Sequence, residues 1–399
     1  MMFLPANVRF ILDTLESNGY EAYVVGGCVR DALMGATPLD YDITTSATPD
    51  EITALFKKTI DTGANFGTIT VLLDKINYEV TTYRTETGYD DFRKPNSVAF
   101  STDLLEDLQR RDFTINAIAY HPDRGYSDPY GGRADITNKL IKAVGNPNER
   151  FTEDALRMLR CVRFSAKLDF TIEPLTYQAL LDNAPLLKNI SLERVREELI
   201  KTLLSKQLQK MKTFNDTALF KAISPDLYIY FLENLEKSIP LILKAPADLE
   251  IRFTLLLQAH PNPKAPLTFL KFSKAEIKEI STLIRFLAKP IDLTNRYALK
   301  KLILDLTLPT LKKYLVLKNI LGHDIIQTEA IISDIINKND PIFLKDLKID
   351  GKTLIANHIL TPGPTLGIVL THLHEQVLRD PALNETSTLL TLARNLAES

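Results

Sequence analysis

Apolar positions change rhythm once along this chain, near Gly145-Asn146-Pro147. Before that point, short β-prone runs alternate with amphipathic stretches. Tyr20 to Val25 is one such run and ends in Gly26-Gly27. Thr68 to Leu73 and Asn77 to Arg84 are rich in Val, Ile, Thr and Tyr, and a short turn at Asp74-Lys75 separates them. That is a hairpin pattern. Thr48-Pro49 introduces a helix over Asp50 to Lys58, with Pro at an early position that a helix accepts. Met1 to Leu15 reads as an amphipathic first helix, since Arg9 and Asp13 interrupt its apolar residues and no cleavage-site pattern follows. Thr85 to Ser97 carries Gly, Pro and several charges, and is expected as an exposed, mobile loop.

From Asn148 to Ser399 the apolar residues recur at helical spacing. Punctuation falls near Pro225, Pro240, Pro261-Asn262-Pro263, Pro290, Pro309, Pro341 and Pro362-Gly363-Pro364. The expected architecture is an α+β head, with a mixed sheet and flanking helices, followed by an all-α remainder. At 399 residues the chain is long enough for two or more compact units. No apolar run is long enough to cross a bilayer. Cys28 and Cys161 are too few for a disulfide framework and match no metal-binding spacing, so a cytoplasmic location is the default expectation.

Charge changes the picture only through its distribution. Lys264 to Lys318 contains 12 Lys or Arg against 4 Asp or Glu, so with the whole chain at −2 the remainder sums to −10. Such a segment can track a phosphate backbone, or it can be a set of solvated helix faces.

Candidate chemistry begins at Gly26-Gly27. Two glycines let the backbone approach a ligand closely, the amides of a following helix point outward, and Arg30 adds a bidentate donor suited to phosphate. The spacing is neither a Rossmann fingerprint nor a P-loop. Ten residues on, Leu39-Asp40-Tyr41-Asp42-Ile43 sets two carboxylates at i and i+2, which share one face if the segment is a strand. Adjacent carboxylates resist ionisation unless a cation joins them, and hard oxygen ligands suit Mg²⁺ with substrate phosphates completing its shell. Such a site can activate a hydroxyl and neutralise a leaving pyrophosphate.

Gly26-Gly27-Cys28-Val29-Arg30-Asp31 followed by Asp40-Tyr41-Asp42 resembles the first motif of the class II tRNA nucleotidyltransferases, within the DNA polymerase beta-like superfamily. Cys28 stands where that family usually has a smaller residue such as Ala. Arg110-Arg111-Asp112-Phe113-Thr114-Ile115-Asn116-Ala117 is similar to the second motif, and Asp128-Pro129-Tyr130-Gly131-Gly132 to the third. Glu153-Asp154-Ala155-Leu156-Arg157 with Arg160 resembles the fourth, and Glu193-Arg194-Val195-Arg196-Glu197-Glu198-Leu199 the last. The resemblance implies stepwise addition of C, C and A to a tRNA 3′ end from CTP and ATP. It makes Asp40 and Asp42 the catalytic metal ligands, and implies nucleotide contacts from Gly27, Arg30, Arg111, Asp154, Arg157, Arg160 and Arg163. For Arg160 and Arg163, pairing with Glu193 or Glu197 is the structural alternative.

Base choice has a chemical rationale. A helix is expected to open at Thr152 as N-cap, bringing Asp154 and Arg157, three apart, onto one face. Cytosine and the Watson–Crick edge of adenine both show an amino donor beside a ring-nitrogen acceptor. A carboxylate only accepts and a guanidinium only donates, so the pair admits C and A and opposes U and G. The alternative is a plain intrahelical ion pair. Tyr89-Asp90-Asp91-Phe92-Arg93-Lys94-Pro95 resembles the flexible loop with which CCA-adding members switch from C to A. Glu79 is either a third carboxylate near the metals or a solvated strand residue.

Three rivals are weaker. A bacterial poly(A) polymerase usually carries adjacent arginines after the first motif, where this chain has Gly63-Ala64-Asn65-Phe66-Gly67-Thr68. An HD-type phosphohydrolase would need companions for His323-Asp324. A silent RNA-binding protein would be expected to have lost Asp40 or Asp42. The expected organisation is a catalytic head over 1–147, a base-recognising neck over 148–210, a body over 211–300 and a tRNA-binding tail over 301–399. By resemblance the helical part grips the acceptor and TΨC arms. No membrane partner is expected, and a homodimer is one open arrangement.

Overall fold

The structure is a computed structural model describing residues 2–90 and 94–398. Two compact units divide it: residues 1–239 with 265–272, and residues 240–264 with 273–399.

The first unit begins with α1 (Ala6–Ser17), whose Val8, Ile11, Leu12 and Leu15 form the buried stripe that the sequence spacing predicts. Then come β1 (Ala22–Val25), α2 (Gly27–Leu33), β2 (Asp42–Thr45), α3 (Pro49–Leu55), β3 (Thr59–Gly63), β4 (Thr68–Leu73) and β5 (Ile76–Thr82). After them follow β6 (Arg84–Asp90), β7 (Lys94–Phe100), α4 (Leu104–Gln109), β8 (Ala119–His121), β9 (Gly125–Ser127) and α5 (Gly132–Thr137). Seven strands make a mixed sheet in the order β3-β4-β5-β2-β1-β8-β9, in which only β2 and β5 run parallel. Alternation along β1 builds two cores. Ala22 and Val24 pack with α1, whereas Tyr23 and Val25 pack with Leu104 and Leu108 of α4 on the other face.

The expected hairpin is β4–β5, and its two-residue turn holds Asp74 and Lys75 at φ 49° and 65°, the conformation that matches strand twist. The helix at Pro49 is shorter than expected. It ends at Leu55, and Thr59–Gly63 turns back as edge strand β3. Thr85 to Ser97 was expected as a loop, but β6 and β7 pair antiparallel as a separate ribbon, from Arg84↔Phe100 to Asp90↔Lys94. The ladder forms through backbone groups, which Gly88, Pro95 and the charges did not reveal. Asp91, Phe92 and Arg93 of the expected switch segment lie outside the described residues.

Helices α6 (Pro147–Glu153), α7 (Leu156–Leu168), α8 (Pro174–Asn183) and α9 (Leu192–Leu203) continue the first unit. A two-residue parallel pairing, Leu140–Ile141 with Thr171–Ile172, ties them to the head. Pro240 is not a terminator: it lies inside the helix Pro225–Lys244, where buried Leu235, Ile239 and Ile242 offset the one lost backbone bond.

The second unit is helical, with one of its cores formed around Leu354, Leu373, Val377 and Leu389. Among the described residues, no helix is long and apolar enough to cross a membrane.

Candidate active site

The site starts from strand register. Val25 at the end of β1 pairs with Asp42 at the start of β2, and Asp42 pairs in parallel with Glu79 of β5. One residue beyond Val25, Gly26 turns the chain at φ +81°, where a Cβ would stand 3.2 Å from Arg111 Nη1 and 3.7 Å from Asp42 Oδ2. Only glycine fits that conformation and that space. Gly27 then opens α2. The close approach expected of the glycine pair therefore falls chiefly on Gly26.

Asp40 is not on the strand. It lies in an exposed bend two residues before Asp42, so the bend rather than strand alternation brings the two carboxylates together. Although Asp42 is solvent-exposed, the protein packed around its carboxyl raises its pKa; Arg111 opposes the rise and Asp40 adds to it. Glu79 is likewise raised, by burial first and then by Asp42 and Asp40. Three acidic charges thus meet at one end of the sheet. This is a donor set that suits a hard divalent cation, although no group of three or more metal-ligating side chains is close enough to hold one unaided among the described residues. Cys28, which donates to the Val25 carbonyl, is pushed up to about 11 by burial and takes no part in such chemistry.

Arg111 is aimed by Asp107, a fully buried residue of α4 whose Oδ2 accepts from Arg111 Nη2 at 3.0 Å. The Asp107 Oδ1 accepts from Arg110 Nη2 at 2.6 Å. The next residues make a buried relay. Arg30 Nη1 donates to Asn116 Oδ1 (2.6 Å), Asn116 Nδ2 donates to Asp112 Oδ1 (3.0 Å), and Arg160 Nε donates to Asp112 Oδ2 (2.8 Å). Burial would raise the Asp112 carboxyl, but Arg160 and Asn116 outweigh it and hold the pKa at about 2. Gly132 supports this segment from below. A Cβ there would lie 2.1 Å from the Thr114 carbonyl oxygen, while Asp128 accepts from the Gly132 and Arg133 amides. The Asp-Pro-Tyr-Gly-Gly motif is therefore a packing device for the Arg-Arg-Asp motif.

The neck differs from expectation. Thr152 is not an N-cap: it lies inside α6, its hydroxyl donating to the Asn148 and Glu149 carbonyls. The helix breaks at Asp154, the C-cap of α6, whose carboxylate accepts from the Leu156 amide at 3.0 Å across the break before α7. Asp154 and Arg157 consequently do not pair with one another. Arg194 of α9 donates to both oxygens of Asp154, while Arg157 pairs with Glu153 and donates to the Arg150 and Arg110 carbonyls at 3.0 and 2.8 Å. Arg160 and Arg163 pair with neither Glu193 nor Glu197. Their partners are Asp112 (2.7 Å) and Glu198 (2.7 Å). The Phe164 ring gathers the Arg30, Arg160 and Arg163 guanidiniums at 5.3, 5.2 and 4.3 Å from its centroid.

These elements enclose a cavity of about 470 Å³. Gly27, Arg30, Asp42, Arg111, Asp154, Arg157, Arg160 and Arg163 all line it; Asp40 alone of the expected site residues does not. Asp112, Asn116, Phe164, Lys167 and Arg194 also line it. Of these, Asp112, Asn116 and Arg194 stood within recognised motifs without an assigned task, and Phe164 and Lys167 carried no signal beyond their spacing on the helix. Other expectations resolve elsewhere. His323 and Asp324 are exposed, and the Asp324 carboxylate accepts from the Ile326 amide as a turn cap. The basic stretch divides: Arg296, Lys300, Lys301 and Lys313 are spent in internal ion pairs, whereas Lys274, Lys278 and Arg285 are not ion-paired among the described residues.

Comparison with known proteins agrees with this geometry. The Poly A polymerase head domain family matches residues 22–142, and the tRNA nucleotidyltransferase domain 2 family matches residues 250–393. A CCA-adding enzyme of Limosilactobacillus reuteri is 39% identical over 404 residues, covering 98% of this chain and 96% of its own. One from Staphylococcus aureus is 36% identical over 389 residues, covering 96% of each. The crystal structure of the Bacillus stearothermophilus CCA-adding enzyme in complex with CTP is 31% identical, with a TM-score of 0.82 over 99% of this chain and 98% of that one. With relatives of that identity matching it from end to end, the chain belongs to the CCA-adding enzymes, nucleotidyltransferases of tRNA.

Proposed function

We propose that the cavity takes CTP and then ATP, and that the tRNA 3′-hydroxyl attacks the α-phosphate in line, expelling pyrophosphate. One observation carries this reading: a single cavity is lined both by Asp42 at the start of the central strand β2 and by Asp154, Arg157, Arg160 and Arg163 on the neck. Reacting phosphate and selected base can therefore be held at once. The bound CTP named for the B. stearothermophilus relative supports a nucleotide in the equivalent fold.

Asp40 and Asp42 are the residues that would hold Mg²⁺, which would supply charge neutralisation for the transferring nucleotidyl group and the leaving pyrophosphate. Gly27, Arg30 and Arg111 bind the triphosphate, with Asp107 and Asn116 keeping the two guanidiniums in place. Asp154 accepts from the exocyclic amine of C or A, and Arg157 donates to the ring nitrogen. Both groups already have protein partners, and a carboxylate has lone pairs to spare, so Asp154 accepts from the base amine while Arg194 keeps its plane fixed. Arg160 and Arg163 line the pocket wall between base and phosphates. Residues 1–147 act as catalytic head, 148–210 as neck, 211–300 as body and 301–399 as tail. The body grips RNA phosphates through Lys274, Lys278 and Arg285, which stand on one side of the helix Lys274–Leu287. With tRNA as substrate, the place of work is the cytoplasm.

The deciding experiment incubates the protein with Mg²⁺, CTP, ATP and tRNA transcripts ending at the discriminator base, after C or after CC. Extension that stops at CCA from every start supports the reading. A stop at CC, an A tail of undefined length, or no extension overturns it.

A further inference from the structure

Each of the seven arginines lining the cavity is ion-paired with a carboxylate of the protein. Their positive charge is therefore largely offset before any nucleotide arrives. Lys167 is different. It lines the same cavity, yet makes no ion pair among the described residues. Although Lys167 is solvent-exposed, the protein packed around its stem and the nearby Arg30 lower its pKa, Asp31 opposes this, and Arg163 adds to the lowering. Its ammonium thus stands in an electropositive corner that an anion would relieve.

Position assigns that anion. Arg157, Arg160, Arg163 and Lys167 follow one another at steps of three or four residues, so they occupy one side of α7. Lys167 lies ten residues beyond Arg157, about 15 Å along a helix axis. Asp154 and Arg157 mark the end proposed to read the base, which leaves Lys167 at the far end. A lysine there is a compact charge on a flexible stem, able to follow a phosphate where the clamped guanidiniums cannot.

We propose that Lys167 binds the outer phosphates of the incoming nucleoside triphosphate with a positive charge that no carboxylate pairs among the described residues. This rests on the nucleotide reading above. The bland alternative is a solvated lysine in the last turn of α7, favourable only to the helix dipole.

Calorimetric titration of the full-length protein in Mg²⁺ separates these, using CTP and CMP with wild type, Lys167→Gln and Lys167→Arg. Wild type is expected to bind CTP more tightly than CMP. Lys167→Gln should weaken CTP binding roughly tenfold, the loss of one charge-assisted contact, and leave CMP binding unchanged. Lys167→Arg should recover most of the loss. In steady-state addition, KM for CTP and ATP should rise together with the choice between C and A unaltered. If Lys167→Gln binds CTP like wild type, or loses CTP and CMP equally, the assignment of Lys167 falls while the nucleotide pocket stands. If wild type itself binds CMP as tightly as CTP, the triphosphate reading of the cavity fails and takes this inference with it. Unchanged CMP affinity also serves as the control that the variant is folded.

Discussion

Arg194 clasps Asp154 by both carboxylate oxygens, Nη1 at 3.2 Å from Oδ1 and Nη2 at 2.7 Å from Oδ2. A bidentate guanidinium fixes the plane of a carboxylate as well as its charge. The group proposed to read the base is thus aimed from a helix forty residues away in sequence. Arg194→Ala should let Asp154 rotate and raise misincorporation of UTP and GTP on a tRNA ending in CC. Arg194→Lys should not restore fidelity, because an ammonium cannot reproduce the fork. The double replacement of Asp154 and Arg157 by Ala should relax selection further. Unaltered nucleotide preference in the double variant, measured with the four nucleotides singly, would remove the base-reading role.

Asp42 links activity to stability with opposite signs. Its carboxyl is raised in the folded protein, so ionising it costs folded-state stability. The favourable contribution is complete below the unfolded pKa of about 3.9 and is lost as pH rises through the folded value. Asp42→Asn should therefore abolish transfer, spare tRNA binding, and raise the melting temperature of the metal-free protein at neutral pH. That gain should shrink as pH falls through the raised folded value and be gone by about pH 4. Retained turnover would refute the metal assignment.

Asp112 runs the other way. Arg160 and Asn116 hold it at about 2, so its stabilisation is present above the unfolded value near 3.9 and fades as pH falls toward 2. Asp112→Ala strands the Arg160 guanidinium and should cost on the order of 3 kcal/mol at neutral pH. Denaturant melts at pH 7 and pH 2.5 test this; a difference that does not narrow in acid contradicts the ion-pair account.

Gly132→Ala should destabilise by about 3 kcal/mol or more, because its Cβ would be forced against the Thr114 carbonyl and overpacking there cannot be relieved by a side chain. Addition activity should fall with it, since Thr114 to Asn116 carries the Asn116–Arg30 contact. A variant as stable as wild type would show that α5 can shift away.

Lys274, Lys278 and Arg285 should matter through salt. Replacing all three with Gln should weaken tRNA binding most at low ionic strength and flatten its salt dependence, while CTP affinity stays as in wild type. An unchanged salt slope, from filter binding across a salt series, would take this helix out of the RNA contact.

What the sequence determined by itself was the set of local devices. Gly26-Gly27, Asp40-Tyr41-Asp42, the Asp74-Lys75 turn and the stripe of α1 could be read from spacing, because a few neighbouring residues suffice to define a turn, a pair of carboxylates or a helix face. The order of the five motifs disclosed the family for the same reason. Tertiary structure decided the partners. Arg157 turned to Glu153 and two backbone carbonyls, Asp154 went to Arg194, Arg163 to Glu198, and the helix expected to run from Thr152 broke at Asp154. No local rule forbade a continuous helix there. The break and the pairings depend on which charges packing brings within hydrogen-bond reach, and a buried guanidinium takes whichever acceptors repay its lost hydration. That choice is made between residues far apart in the chain, where sequence spacing carries no distance.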